Sequence, residues 1–448
     1  MTGSATTRRP EVGAAVTAAD LTELRARGRQ GFAAQGLPST KAEPWRYFST
    51  RPISKRPVDA APAAPAPVSA EDIAPWLLDG VAGTAVFVDG RFEPALSDLQ
   101  ALGQRVRVGG LAAAIEAEPE RLGALVGTVA SADADGLVAA NQAWFADGLF
   151  VEVPARAVVE APILALFYAT GGGAAERVRQ PRNLVLMGRS SQATVVCRYV
   201  GAADDAGLTN AVTELSLADN AALRHVEIEE EAPEALHVGR VVGRQGADSQ
   251  LRSYVLSLGG KAARTAVRAE LAGAGAECVL DGLYVAAGEQ RLDHYTEIDH
   301  LVGHTTSSEY YAGVMDGGAV GNFQGVVYIR EGAVDSRTQQ LNRNLLLAPG
   351  AQANCKPQLE IDNDDVAATH GTTIGQLDPM ALFYLESRGI DRDTARGILT
   401  FAFAREALGR LGVASLSEAL IPRILAKLDV AVASDDGDDL DLDLEDLS

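Results

Sequence analysis

Histidine is scarce in this chain, six in 448 residues, and four of the six stand where they could share one task. His294, His300 and His304 fall in DHYTEIDHLVGHTTS at steps of six and four. Even steps put all three on one face of a strand, provided the strand runs on through Gly303. His370 sits apart, in the small-residue run VAATHGTTIG, with Gly371 behind it. The three cysteines are Cys197, Cys278 and Cys355. Thiolate together with imidazole suits iron or zinc. If the strands coil into a solenoid, Cys355 and His370 approach the face of the three histidines from neighbouring turns. The more ordinary reading is a set of hydrogen-bonded structural histidines. The densest acidic cluster, IDNDDV at 361–366, reads as a calcium or acid/base site or, more commonly, as a polar turn.

Other chemistries leave no trace. There is no GxxxxGK[ST], so ATP hydrolysis is not expected of this chain, and no GxGxxG follows a strand. No GxSxG elbow, HExxH or CxxC pair is present. Three scattered cysteines make no disulfide framework. The net charge of -21 argues against nucleic acid, whose phosphates need clustered Lys and Arg. Eight of those charges lie in the last fourteen residues, DDGDDLDLDLEDLS, which leaves -13 for the remainder. A tail of that kind, taken as 433–448, is expected to be disordered. The N-terminal stretch lacks the apolar core of a signal peptide, and no run of 18 uncharged apolar residues follows. The expected setting is a reducing cytoplasm, without a membrane.

The elements that must position these residues divide the chain into four parts. Residues 1–147 read as mainly helical, with an amphipathic helix over 19–35, a Pro/Ala linker at 59–70, a hairpin in GTAVFVDGRF at 83–92 and helices over 101–146. From 148 to 376 short alternating runs such as NLVLMG, ATVVCRYV and GVVYIREGA succeed one another. Small-residue turns recur at Asp219, Ala247, Ala276, Ala319, Ala333 and Ala351, at intervals of 28, 29, 43, 14 and 18. Most lie near multiples of fourteen, as expected of a coiled solenoid with two strands per turn. A Greek-key sandwich is the competing architecture. Residues 377–432 read as three helices. Asp378 with Pro379 starts the first, Gly389 stops it, Asp391 or Asp393 caps the second, and Ser415 with Glu418 forms a capping box for the third.

The block from Ser307 to Ile390 closely resembles the C-terminal core of the SufB/SufD family of iron-sulfur cluster assembly proteins. The matching features are F-x-G near Phe323, the Q-x-x-x-x-L-L-L run from Gln340, KPQLEI, DDV, HG-x-T-x-G and LFYL-x-x-RGI. Weaker similarity runs out through NQAWFADGLFVEVP to LPSTKAEPWRY. SufB-type chains carry Glu directly after the His; this chain has Gly371 after His370, as SufD-type chains do. SufD-type chains often place a cysteine two residues before that histidine, where this chain has Ala368.

The resemblance implies a right-handed parallel β-helix with flanking N-terminal and C-terminal helical parts. It also implies a non-catalytic scaffold that pairs with SufB and docks the ATPase SufC, which explains the missing P-loop. His370, and with less support Cys355, become candidates for iron or cluster contact. No cofactor is expected to stay bound; iron or a nascent cluster would pass through the interface with SufB. Phe383, Tyr384, Arg388, Ile398, Phe401 and Phe403 fall in the ATPase-docking region. Two rival readings are a SufB-like homodimeric scaffold and a carbohydrate-active β-helix enzyme. Against the enzyme stand the missing secretion signal and the 5% aromatic content.

Overall fold

The structure is a computed structural model that describes residues 21–428, apart from 62, 104 and 173–176. The acidic tail and the first two residues of the expected 19–35 helix lie outside the described residues. The chain forms a parallel β-solenoid of about seven turns, with helices at both ends of the sequence. Two ten-residue strands make up most turns, one in each of two stacked sheets. In the first sheet Ala222 lies opposite Gln250, Gln250 opposite Glu277, and Glu277 opposite Thr306, steps of 28, 27 and 29 residues. The fourteen-residue period is therefore half a turn. Asp219, Ala247, Ala276 and Ala333 lie at one end of the flattened coil and Ala319 and Ala351 at the other, so the interval of 43 spans one and a half turns.

Both faces of most strands before the last two are largely buried, because the sheets pack on one another inside and on other elements outside. In Glu277–Ala286, Cys278, Leu280, Tyr284 and Ala286 point into the lumen. Leu283 and Val285 point outward, beneath the C-terminal helices. The expected hairpin forms between Gly83–Val88 and Arg91–Phe92, turning through Asp89 and Gly90, both at positive φ. Its first strand also lies parallel to Ile163–Ala169, so the first sheet reaches back across the boundary expected at 147.

On the N-terminal side α1 (Leu21–Gln35) and the single turn α2 (Ala70–Ile73) precede the hairpin. After it come α3 (Leu111–Ala117), α4 (Pro119–Leu125) and α5 (Gly136–Trp144), in the region read as helical. A fully buried ion pair holds this region to the second sheet. Arg182 donates from Nε to Glu214 at 2.9 Å and from Nη2 to the carbonyl of Ala130 at 2.7 Å. Glu214 in turn accepts from the backbone N–H groups of Gly127, Val129 and Ala130.

The C-terminal helices are α6 (Pro379–Ser387), α7 (Arg392–Gly409) and α8 (Ala414–Lys427). Asp378 caps α6 through Met380 N, Gly389 follows it at φ +89, and Asp391 caps α7 through the N–H groups of Asp393 and Thr394. The capping box at Ser415 and Glu418 does not form. Instead α8 starts at Ala414 without a side-chain cap. Burial of Leu416, Leu420 and Ile424 against the outer face of the first sheet extends the helix back past Ser415, so packing overrides the local signal. Together α7 and α8 cover that face, which uses much of the apolar surface of α7: Ala404, Ala407 and Leu408 are buried there, and Tyr254 donates its hydroxyl to the carbonyl of Ala407 at 3.0 Å.

Candidate functional site

The three clustered histidines do not form a metal face. Their strand, Arg291–His300, ends before Gly303, so the even spacing stops mattering after His300. His294 lies in the lumen against the rings of Tyr284 and Tyr311, with Nε2 3.0 Å from Ser257 Oγ. Burial pushes its pKa down to about 3, so it is neutral. His300 is held between Thr305 Oγ1 and Ser307 Oγ at 2.7 and 2.9 Å, and burial lowers it to about 4. His304 points away, in an exposed turn at φ 58.

That turn has a structural explanation. Ser190, Asn220, Asp248, Gly275, His304 and Asp335 occupy equivalent corners of successive turns, all at positive φ. From Ser190 to Asp335 each donates its backbone N–H to a carbonyl of the next turn, as His304 does to Val334 at 2.8 Å. Asn, Asp and Gly are the residues that tolerate this conformation best, and His304 stands in their place.

The other candidates lie at the open end of the solenoid. The first sheet ends in Val366–Gly375 and the second in Gln352–Ile361, and each strand has a neighbour on one side only. Burial fades accordingly: the preceding strand Val320–Ile329 is almost wholly buried, Gln352–Ile361 is mostly half-buried, and Val366–Gly375 is mostly exposed. His370 is on the last strand and exposed, in register with Gln340. Val366 and Ala368 pack on the lumen cluster, so alternation turns His370 to the same side.

Cys355 is on the penultimate strand, flanked by Ala353 and Leu359, which also pack on the lumen cluster. Its sulfur accepts from Asn344 Nδ2 at 3.1 Å. Burial raises the thiol pKa, against hydrogen bonds with Thr372 and Asn344. Cys355 and His370 thus share the mouth of the lumen, whereas Cys197 and Cys278 are sealed in its core, where burial raises their pKa strongly. The acidic run IDNDDV is the turn joining the two strands: Asp365 N donates to Asn363 Oδ1, and Asn363 Nδ2 to the carbonyl of Glu331. Among the described residues no three His, Cys, Asp or Glu side chains are grouped to hold a metal ion. His370 and Cys355 thus place an imidazole and a thiol at the open end, a pair that on its own would not complete a metal shell.

The docking candidates separate into two sets. Phe383 and Tyr384 on α6 are 64% and 47% exposed, and the Arg388 guanidinium lies 5.2 Å from the Tyr384 ring centre. On α7, Ile398 packs beneath α6 with Leu382 and Leu385, Phe403 packs on the outer face of the first sheet, and Phe401 is half-buried. A groove of about 510 Å³ separates α6 and α7 from the solenoid end, lined in part by Leu347, Pro349, Leu377, Phe383 and Arg396. Spacing in the sequence did not single out Ile361, Ile374 and Met380, which are exposed at the same end. Their signal is that apolar side chains persist on strands and a helix that nothing covers.

Residues 168–403 match the family described as "SUF system FeS cluster assembly, SufBD core domain", and residues 11–164 match the "SufBD protein N-terminal region". The iron-sulfur cluster assembly protein SufD of Escherichia coli is 29% identical over 405 residues, 88% of this chain and 90% of that protein. A SufBD family protein of Synechocystis is 28% identical over 388 residues, 85% of each chain. SufD of Bacillus subtilis is 27% identical over 301 residues, 66% of this chain and 68% of that one. Two adjoining family matches that cover most of the chain, and the solenoid they fall on, give one conclusion: the chain belongs to the SufBD family of iron-sulfur cluster assembly proteins.

Proposed function

We propose that this chain is the SufD-type scaffold of a SUF assembly complex, non-catalytic in itself. Its open end pairs with a SufB-like chain, and its C-terminal helices dock a SufC-like ATPase. The observation that carries this reading is the unpaired edge of the last two strands, with His370 and Cys355 beside it. Edges of that length invite another strand, and apolar Ile361 and Ile374 favour a partner over water. The incomplete donor set fits a shared site, where the partner supplies most ligands and iron or a nascent cluster is cargo. His370→Ala is expected to lower cluster production with the fold intact. The setting is a reducing cytoplasm, in which Cys355 stays a thiol. The same free edges favour a homodimer when the SufB-like chain is absent.

Co-expression with SufB-like and SufC-like chains, followed by light scattering, tests the assembly. One copy of this chain, one SufB-like chain and two ATPases are expected; failure to retain the ATPase under any nucleotide condition would overturn the docking role. Phe403 helps to hold α7 on the solenoid, so Phe383→Ala with Tyr384→Ala is the cleaner probe of docking. Loss of both rings is expected to weaken ATPase retention about tenfold or more while leaving the melting temperature nearly unchanged.

A further inference from the structure

The groove of about 510 Å³ between α6, α7 and the solenoid end combines apolar walls with an excess of positive charge. Leu347 and Leu377 are half-buried along it and Phe383 is exposed. Its charged lining residues are Arg392, Arg396 and Glu386. Glu386 pairs with Arg392 at 3.1 Å. Arg396 donates to the carbonyl of Leu347 at 3.1 Å and, among the described residues, has no carboxylate partner. Asp378 and Asp391, close by, are engaged with the N–H groups that start α6 and α7. The lining therefore carries one more positive charge than negative, in a chain whose net charge is -21.

The C-terminus of the same chain has the complementary pattern. In DDLDLDLEDLS, residues 438–448, Asp439, Asp441 and Asp443 alternate with Leu440, Leu442 and Leu444. Alternation sends leucines and carboxylates to opposite sides of an extended chain, one suited to apolar walls and the other to arginine. The attachment point of this segment is near the groove. Lys427, at the end of α8, donates to Gln290 in the turn after Glu277–Ala286. That turn stacks on the next through Gly318 N and the Gly288 carbonyl, and the next on Leu347–Ala351 through Gln352 N and the Ala319 carbonyl. Two strand spacings, about 10 Å, thus separate the Gln290 turn from the groove wall. The ten residues 429–438 reach about 33 Å when extended. Tethering holds the segment at an effective concentration on the order of 1 mM, so even a weak contact is populated.

We propose that the segment 438–448 docks in this groove of its own chain, its leucines against Leu347, Leu377 and Phe383 and a carboxylate on Arg396. Phe383 also belongs to the proposed ATPase-docking surface, so the ATPase must displace the segment to bind. This regulates the docking role and rests on it.

The test uses the full chain with the photoreactive residue p-benzoylphenylalanine in place of Leu442. Cross-links within one molecule to 346–349 and to α6 are expected, and Arg396→Gln is expected to lower their yield about threefold or more. Cross-links between two copies would place the segment in a neighbour's groove, and cross-links scattered over the surface would show no docking; either result overturns the proposal. The affinity for a SufC-like ATPase is measured in parallel on the wild type and on Leu440→Ser with Leu442→Ser and Leu444→Ser, substitutions that lie outside the folded core. The variant is expected to bind about threefold or more tightly, because its segment competes less. Equal affinities would overturn the regulation. ATPase binding without cross-links in the groove sinks the segment's site alone, whereas cross-links in the groove without ATPase binding by either protein sink the scaffold reading on which its role rests.

Discussion

At the scale of the residue, six histidines fulfil different roles because the solenoid places them differently. His294 and His300 are neutral lumen residues tied to hydroxyls, His304 is a corner residue, and only His370 faces an opening. Two substitutions separate these roles. His304→Asn keeps a residue suited to positive φ and is expected to change stability by less than about 0.5 kcal/mol, with cluster assembly unaltered. His370→Ala is expected to reduce cluster assembly about tenfold or more with the melting temperature unchanged. Equal effects of the two in an assay of cluster transfer would contradict the assignment. The difference between His304 and His370 was legible only through the family resemblance. Spacing alone grouped His304 with His294 and His300, because an even step carries no information about where a strand stops.

At the scale of the element, the period of the turns was legible and its meaning was not. Small-residue turns occur at both ends of each coil, so half-turns and full turns mix in one list of intervals. Caps that act locally were also legible: Asp378, Asp391 and Gly389 do what their positions require. Ser415 does not, since the packing of α8 on the first sheet sets where that helix begins. The buried clamp between Arg182 and Glu214 was not foreseen, because its partners are 32 residues apart in sequence and the loop it holds lies 84 to 87 residues from Glu214. Glu214→Ala leaves Arg182 buried and unpaired and frees three backbone N–H groups. It is expected to cost about 3–5 kcal/mol, measured by urea unfolding. A cost below about 1 kcal/mol would show that water replaces the carboxylate without penalty.

At the scale of the whole molecule, the solenoid is sealed along its length and open at one end. One buried charge in its sealed part gives it a pH signature. Burial opposes the charge on His237, but the hydrogen bond to Glu231 at 2.8 Å and the fields of Glu229 and Glu227 outweigh burial and raise its pKa to about 9. A raised histidine stabilises the fold fully below its ordinary value of 6.5 and loses that contribution as pH climbs through about 9. Stability is expected to fall by about 1–3 kcal/mol across that window, and His237→Gln to remove the slope in thermal melts recorded from neutral to alkaline pH. A wild-type melting temperature that stays flat over the window would contradict it. The open end is the central claim, and amide hydrogen exchange reads it most directly. With a SufB-like partner added, the amides of Gln352–Ile361 and Val366–Gly375 are expected to slow while those of Val320–Ile329, already buried, stay the same. Protection elsewhere, with these two strands exchanging as fast as in the free chain, would mean that the open end is not where the partner binds.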